Sequence, residues 1–486
     1  MDPVIVDAVS GWTPIEVSVS TRSGTNGGTS CALYSSDSSD ENSIMCWGQG
    51  GSGQIGDGGS NSPASPSSSS RVMLDPTTPL GASEGSESLS TNPYKVAELS
   101  LSDLGKFGCA RSNQGNVKCW GYNNYGQLGH GNTSTASDGP DEMGSNLPFV
   151  PLGSNRTATQ ITVGERHACA LLDDGSVKCW GDNGNGATGQ GTSSGNIGDA
   201  AGELGDDLQA VDLGSGLSAT QISAGGYHTC ALLDDGSVKC WGYNADGQLG
   251  IGNTSARGTG SNEMGDELVA VDLGTGRTAM TIESGYSHTC AILDSGVLKC
   301  WGSNAYGELG QEHDEDIGTG PDWDGNKVSC VPGLETANNL RECNAQLGDG
   351  LEGIDLGEGR TAASVSAGYR HTCAILDNGS VKCWGYNADG RTGLGTSSSN
   401  TGDESGEMGD ELPPVDLGIG NTAYSISSGY SHTCILLDNL SVACWGDNSV
   451  GQIGIGTNGD VDSSEEMGGS LQTAFLQTSK SISVVA

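Results

Sequence analysis

The chain has 486 residues, of which 81 are glycine and 3 phenylalanine, and its 20 basic against 60 acidic side chains leave a formal net charge of −40. So acidic a chain excludes a nucleic-acid surface, which needs a basic face for the phosphates. No stretch approaches the ~20 consecutive apolar residues of a membrane helix, so no membrane insertion is expected.

In chain order, Pro3-Val4-Ile5-Val6-Asp7 reads as a short leading strand and Ile15 to Val19 as a second, followed by a hairpin with a long loop between Cys31 and Cys46. The serine-rich stretch 60–90 reads as a loop without chemistry. From there one unit recurs. The tripeptide CWG stands at seven equivalent places, and its tryptophans (Trp47, Trp120, Trp180, Trp241, Trp301, Trp384, Trp445) are 73, 60, 61, 60, 83 and 61 residues apart. Within a unit the order is constant. A short strand such as Val269 to Leu273 leads to a second from Ile282 to Leu293 and a third ending in LKCWG; a turn like Tyr243 to Gly250 and an acidic glycine-rich loop such as Glu263 to Leu268 follow.

Three or four short strands per unit, without helical periodicity, imply a radial array of small antiparallel sheets, an all-β propeller of seven blades. The blades fall at about 1–57, 93–131, 147–191, 208–253, 268–311, 351–396 and 412–457. The 83-residue spacing hides an insertion at 312–350 that brings Trp323, the acidic residues Asp314, Glu315, Asp316, Asp322 and Asp324, and a cysteine pair of its own. Long loops on rigid scaffolds often carry recognition, although decoration is the commoner role.

Sixteen cysteines fall into eight neighbouring pairs: Cys31 with Cys46, Cys109 with Cys119, Cys169 with Cys179, Cys230 with Cys240, Cys290 with Cys300, Cys330 with Cys343, Cys373 with Cys383 and Cys434 with Cys444. Zinc knuckles place two to four residues between ligands, whereas nine intervene in most of these pairs. The segment ALLDDGSVK between Cys169 and Cys179 alternates around Asp-Asp-Gly and reads as a hairpin with Gly175 in the left-handed position. That register sets Leu171 opposite Val177 and Cys169 opposite Cys179, within disulfide reach. One stapled hairpin per blade follows, and with it an oxidising, extracellular or cell-surface location. The start at Met1-Asp2-Pro3 lacks the features of a signal peptide, so the chain reads as a mature product or a fragment.

These residues resemble the regulator-of-chromosome-condensation repeat family of seven-bladed propellers. The repeat has Gly-x-x-His, an Asp/Asn-Gly turn, Trp-Gly, Asn and Gly-Gln-Leu-Gly, seen here as Gly225-Gly226-Tyr227-His228, Asp235-Gly236, Trp241-Gly242, Asn244 and Gly247-Gln248-Leu249-Gly250. The first two units depart from it, with Thr29 and Phe107 at the histidine position. The paired cysteines are a further departure. The resemblance implies, for the best-known member, nucleotide exchange on a small GTPase at chromatin; the acidic charge and the cysteines argue against carrying that role over. It also implies, for secreted and cell-surface relatives, binding rather than chemistry.

No catalytic residue is expected. His167, His228, His288, His371 and His432 stand at equivalent positions, whereas catalysis needs different groups converging on one point. They read as structural hydrogen-bonding groups, and the tryptophans as inter-blade packing. Acidic loops recur at Glu142, at Glu203, Asp206 and Asp207, at Glu263, Asp266 and Glu267, at Glu407, Asp410 and Glu411, and at Glu465 and Glu466, and they concentrate carboxylates on one rim. A solvated surface is one reading; weak calcium binding at Glu263, Asp266, Glu267, Glu407, Asp410 and Glu411 is the sharper one, and no other cofactor is expected. Sequons at Asn132, Asn155, Asn253, Asn378 and Asn439 are glycosylation candidates.

The C-terminal stretch 466–486 resembles 263–282 and reads as the start of an eighth unit, one leading strand more than a closed ring requires. It either closes the ring or adds to the next molecule, which would give a head-to-tail homopolymer. The expected function is that of a non-enzymatic extracellular structural or assembly component acting through a protein partner or self-association. The alternative is a secreted inhibitor, glycan binder or receptor ligand that uses one rim, with Trp323, Tyr125 and Tyr306 as contacts.

Overall fold

The structure is a computed structural model that describes residues 12–20, 28–36, 42–48, 71–72, 96–102, 106–136, 142–143, 146–320, 347–397 and 399–474. The expectations for Cys330, Cys343, Trp323, Asp322, Asp324, residues 3–7 and residues 475–486 lie outside these.

Seven antiparallel sheets follow one another along the chain. Blade 1 consists of β1 (Trp12–Ser20), β2 (Thr29–Ser36) and β3 (Asn42–Gly48). Within the serine-rich stretch, Arg71–Val72 form β4 on the edge of β3. Blade 2 is made of β5 (Val96–Leu101), β6 (Phe107–Ser112) and β7 (Val117–Gly121). Blade 3 holds β8 (Ala158–Val163), β9 (His167–Leu172) and β10 (Val177–Gly181); blade 4 holds β11 (Ala219–Ala224), β12 (His228–Leu233) and β13 (Val238–Gly242). Blade 5 is β14 (Ala279–Ser284), β15 (His288–Leu293) and β16 (Leu298–Gly302), and blade 6 is β17 (Ala362–Ala367), β18 (His371–Leu376) and β19 (Val381–Gly385). Blade 7 is β20 (Ala423–Ser428), β21 (His432–Leu437) and β22 (Val442–Gly446).

The first strands of successive blades lie side by side around the ring, and β1 packs on β20 and β21 to close it. Each hairpin has the register its pattern dictates: Cys169 faces Cys179, and Leu171 faces Val177. Gly175 sits at φ 79°, and its N–H returns to the Leu172 carbonyl, as a three-residue hairpin loop ending in a left-handed residue requires.

Among the described residues seven disulfides result, one per blade. Cys31 is joined to Cys46 in blade 1, Cys109 to Cys119 in blade 2, Cys169 to Cys179 in blade 3 and Cys230 to Cys240 in blade 4. Cys290 is joined to Cys300 in blade 5, Cys373 to Cys383 in blade 6 and Cys434 to Cys444 in blade 7. Their Cα–Cα distances of 4.0 to 4.1 Å are those of directly opposed strand positions.

Two expectations change. The glycine-rich loops contain single turns of 3-10 helix, at Gly265–Glu267, Gly348–Gly350, Gly409–Glu411 and Gly468–Ser470. The leading segments such as Val269 to Leu273 are extended connections, and they bind the preceding blade. The Val271 N–H donates to the Val238 carbonyl of blade 4 at 2.8 Å. Ala474 makes the same bond to Val442, and Thr473 bridges Ala443. The described part of the C-terminal copy therefore completes the outer edge of blade 7 rather than opening an eighth unit.

Candidate functional site

The repeated histidines are expected to be structural hydrogen-bonding groups rather than catalytic ones. Each of the five is buried where two blades meet. His167 Nε2 lies 2.8 Å from Thr229 Oγ1 of the next blade, and His228, His288 and His371 repeat this with Thr289, Thr372 and Thr433 at 2.9 Å. His432 closes the series on Ser30 Oγ of blade 1 at 2.7 Å. Each acceptor hydroxyl spends its own proton on a carbonyl of the preceding blade, as Thr229 does on Ala187 at 3.1 Å and Thr289 on Gln248 at 3.0 Å. The hydroxyl oxygen can then only accept, so Nε2 carries the imidazole proton. Burial holds His167, His288 and His432 down at about 4 and His228 at about 3, so the rings are neutral at pH 7.

The same carbonyl takes the indole N–H of the next tryptophan: Trp241 donates to Ala187 at 3.0 Å, and Trp47 to Gln452 at 2.9 Å. The loop asparagine holds that carbonyl in place, because Asn244 accepts the Leu249 N–H and donates to Asn253 and Ser255. Glycine before the histidine is demanded by space: a Cβ on Gly225 would stand 2.2 Å from His228 Cε1 and 2.3 Å from the Gly285 carbonyl oxygen. The constellation is a joint between wedges: each hydroxyl beside an imidazole is buried, gives its proton to a carbonyl and accepts the Nε2 proton, so it is held as a structural bridge.

The ring has two ends. The acidic loops start against the turns after CWG, where Thr259 and Gly402 pack on Gly186 and Gly307, and finish at the end with the hairpin turns; they are tied down locally along the way. Asp266 accepts the N–H and hydroxyl of Ser215, Glu263 those of Thr259 plus the Gly260 N–H, and Asp410 the Glu358 N–H. Glu407 accepts the N–H groups of Gly402 and Glu404. These bonds hold Asp266 and Glu263 below the usual carboxylate range. Glu267 and Glu411 are exposed. Among the described residues, no three His, Cys, Asp or Glu side chains gather as a metal site would require.

The sequence reading missed the lysine of VKCWG, which is buried beneath these loops: Lys239 Nζ donates to the carbonyls of Leu213 and Gly265 at 2.9 and 2.8 Å, and Lys299 repeats this on Leu273 and Gly348. Its recurrence one residue before the second cysteine was the available signal. Of the sequon asparagines, Asn132, Asn155, Asn378 and Asn439 are exposed and Asn253 is half-buried.

The opposite end carries the Gly-x-x-His loops and the turns after CWG. Here Tyr227, Tyr286, Tyr369 and Tyr430, from blades 4 to 7, form an arc with ring centroids 5.9, 4.7 and 3.8 Å apart in turn. Tyr286 donates its hydroxyl to Glu165 of blade 3 at 3.0 Å. Arginines stand among the rings: Arg166 between Tyr125 and Tyr227, and Arg370 between Tyr306 and Tyr369, each 4.6 to 5.6 Å from the ring centres. Both also donate to a tyrosine hydroxyl at 2.9 Å, Arg166 to Tyr125 and Arg370 to Tyr306. The turn tyrosines foreseen as contacts thus share one face with cations that the sequence reading did not single out.

Along the axis lies a cavity of about 240 Å³ lined by the first strands of all seven blades, among them Glu16 and Glu283. Side chains on the first strands of most blades satisfy the edge of the next: Gln160 brackets Ile222, accepting its N–H at 2.8 Å and donating to its carbonyl at 3.0 Å.

Comparison with known proteins agrees with this architecture. A family model described as RCC1-like domain matches residues 25–397, and one described as regulator of chromosome condensation (RCC1) repeat matches 424–452. The ultraviolet-B receptor UVR8 of Arabidopsis thaliana is 27% identical over 437 residues, covering 89% of this chain and 78% of its own. The mitochondrial RCC1 domain-containing protein RUG3 of the same plant is 25% identical over 425 residues, covering 85% and 79%. Among solved structures, yeast RCC1 (Prp20) bound to Kap60 superposes with a TM-score of 0.59 at 18% identity, over 86% of this chain and 82% of that one. Human WBSCR16 does so at 0.56 and 17%, over 89% and 94%. At such identity these structures speak for the fold alone.

Proposed function

This chain belongs to the RCC1-like propeller family, and from that premise we propose that it is a non-enzymatic extracellular component of a protein assembly, engaging its partner or another copy of itself through the tyrosine and arginine end of the ring. The observation that carries the reading is the disulfide in every blade, with each described cysteine at most 1% exposed. Such bonds persist outside the reducing cytosol. The contact end follows from composition, since tyrosine and arginine dominate the energetic centres of protein interfaces. Relatives are consistent with action by contact, as in the yeast RCC1 complex with Kap60. A second reading, a secreted binding protein for a different partner, is favoured by the placement of Tyr125 and Tyr306 on that same end.

The test uses the chain produced through a secretory route. Thiol labelling followed by intact-mass measurement without reductant is expected to add no label to the hairpin cysteines; labelled hairpin cysteines would remove the extracellular assignment. Light scattering and electron microscopy are expected to show assemblies that fall apart in the Arg166→Ala/Arg370→Ala variant. Solitary rings at every concentration would select the second reading.

A further inference from the structure

We infer that the axial cavity is a binding site for a short organic dication, its two ammonium groups held by Glu16 on one wall and Glu283 on the other. The lining repeats with the blades. Opposite the first cysteine of each hairpin the inner strand carries a small hydroxyl residue, Ser18, Ser100, Thr162, Ser223, Ser366 or Ser427, in every blade but the fifth, where Glu283 stands instead. Most of these hydroxyls serve the next strand, as Ser223 accepts the Ser284 N–H at 2.8 Å and Ser366 the Ser428 N–H at 2.8 Å. The Glu283 carboxyl has no hydrogen-bond partner among the described residues, although it lines the cavity. Ser428 Oγ, also on the lining and buried, is likewise unpartnered.

In a seven-membered ring, blade 5 lies diametrically across from the joint between blades 1 and 2. Glu16 occupies that joint and receives one weak donor, the Leu99 N–H at 3.4 Å. Its neighbour Glu98 is taken up by Arg111 Nε at 2.7 Å and the Ile161 N–H at 3.1 Å. Two carboxyl groups therefore face each other across a polar chamber, and each is short of partners. Buried groups of this kind are costly unless something satisfies them. A single metal ion cannot, because oxygen ligands must approach within about 2.6 Å and these come from opposite walls. A dication reaching both can. The volume is below the ~300 Å³ of ordinary ligand sites, which limits the ligand to a short chain.

Proton linkage adds a signature. Burial pushes Glu16 up to about 8, helped by Glu98 and opposed by Arg111 and the Leu99 N–H, and pushes Glu283 up to about 7 with no charged group facing it. An ammonium takes the place of each proton, so affinity rises as the pH passes through about 7 to 8, the range in which the two carboxyls give up their protons.

The probes are 1,4-diaminobutane, 1-aminobutane and calcium chloride, titrated into the whole purified chain by calorimetry and thermal shift. The expected result is a raised melting temperature with diaminobutane at about pH 8.5, affinity at least roughly tenfold weaker at about pH 6, at least roughly tenfold weaker binding of the monoamine, and no shift with calcium. Glu283→Gln is expected to fold and to lose diamine affinity by at least about tenfold, and Glu16→Gln to do the same. No response to diaminobutane, equal binding of the monoamine, affinity indifferent to pH, calcium stabilising as strongly, or a folded Glu283→Gln that binds unchanged would each overturn the inference. The wild-type measurements alone suffice if either variant fails to fold.

Discussion

The joints between blades are of two kinds. From blade 3 onward to blade 1, each is built around a histidine, a hydroxyl and a carbonyl. The joints from blade 1 to 2 and from 2 to 3 carry Thr29 and Phe107 where the others have histidine. Their partners have changed in step, because the hydroxyl position of the receiving blade is Gly108 in one case and Ala168 in the other. An imidazole is present where a threonine or serine hydroxyl waits in the next blade and is missing where that position is glycine or alanine. The histidine joint specifies geometry through bonds that cannot be made elsewhere, while the joint from blade 2 to blade 3 relies on packing at this position, with Phe107 buried at 1% exposure. A buried imidazole without its hydroxyl would be costlier than either arrangement.

The largest break in this comparison is acid. An imidazole held near 4 when folded and 6.5 when unfolded binds fewer protons in the native state, so its contribution is complete above pH 6.5 and is lost as the pH falls toward 4. That is roughly 3 kcal/mol for each such ring. The three rings held at about 4 together rival the ~5 to 15 kcal/mol that holds a typical domain, and burial moves His228 and His371 in the same direction. Tryptophan fluorescence is expected to show unfolding between pH 6.5 and 4, with hydrogen exchange opening the joints of blades 3 to 7 before those of blades 1 to 3. A ring intact at about pH 4 would contradict the account of the histidines.

Next is the staple common to both regions. Replacing Cys230 and Cys240 by serine removes a closed loop of about ten residues and is expected to cost ~2 to 3 kcal/mol in urea unfolding. The double replacement of Cys109 and Cys119 should cost the same, since the hairpin and not the joint is cross-linked.

A more pointed comparison exchanges the two kinds of joint. Thr289→Val leaves the His228 N–H without an acceptor and is expected to destabilise by ~1 to 3 kcal/mol. Ala168→Thr introduces a hydroxyl that Phe107 cannot use and should also destabilise, whereas adding Phe107→His is expected to recover ~0.5 to 3 kcal/mol as coupling in a double-mutant cycle. Zero coupling would mean that the residues changed together without a physical link.

The smallest effect lies in blade 7. Its hairpin turn has Leu440 at φ 65°, where the others described have glycine except for the long first loop. Left-handed backbone costs a branched residue ~1 to 2 kcal/mol, and glycine gives up ~0.4 to 1 of that through the greater freedom of the unfolded chain. Leu440→Gly is therefore expected to stabilise by about 0.5 to 1 kcal/mol in the same urea assay.

Much of this could be read before any coordinates. The pairing of Cys169 with Cys179 and of Leu171 with Val177 was legible because alternation and an Asp-Asp-Gly turn act within ten residues. The same local logic gave Cys290 its partner Cys300, Cys373 its partner Cys383 and Cys434 its partner Cys444. The structural role of the histidines was legible from their equivalence, and the matching of Thr289 to His228, with Ala168 following Phe107, was in plain view although unread. Assignment of Val269 to Leu273 to its blade was not legible, since an extended segment between two sheets has the same pattern whichever it joins; the Val271 bond to Val238 decides it. Tyr286, Tyr369 and Tyr430 of the tyrosine arc each stand two residues before a histidine and so carried a repeat signal, whereas Tyr227 stands one residue before its own, and only the ring brings the four together. The pairing of Glu16 with Glu283 escaped because nothing local links residues so far apart.

From its residues alone this protein's repeat, hairpin register, cross-links and blade count followed, because side-chain alternation and short turns are satisfied within a few neighbouring positions. Which groups meet across the axis, which cations stand among the tyrosines and where the last connection docks were settled only when the ring closed. Closure brings together side chains from about sixty to several hundred residues apart, and their contacts exist only once every wedge is in place.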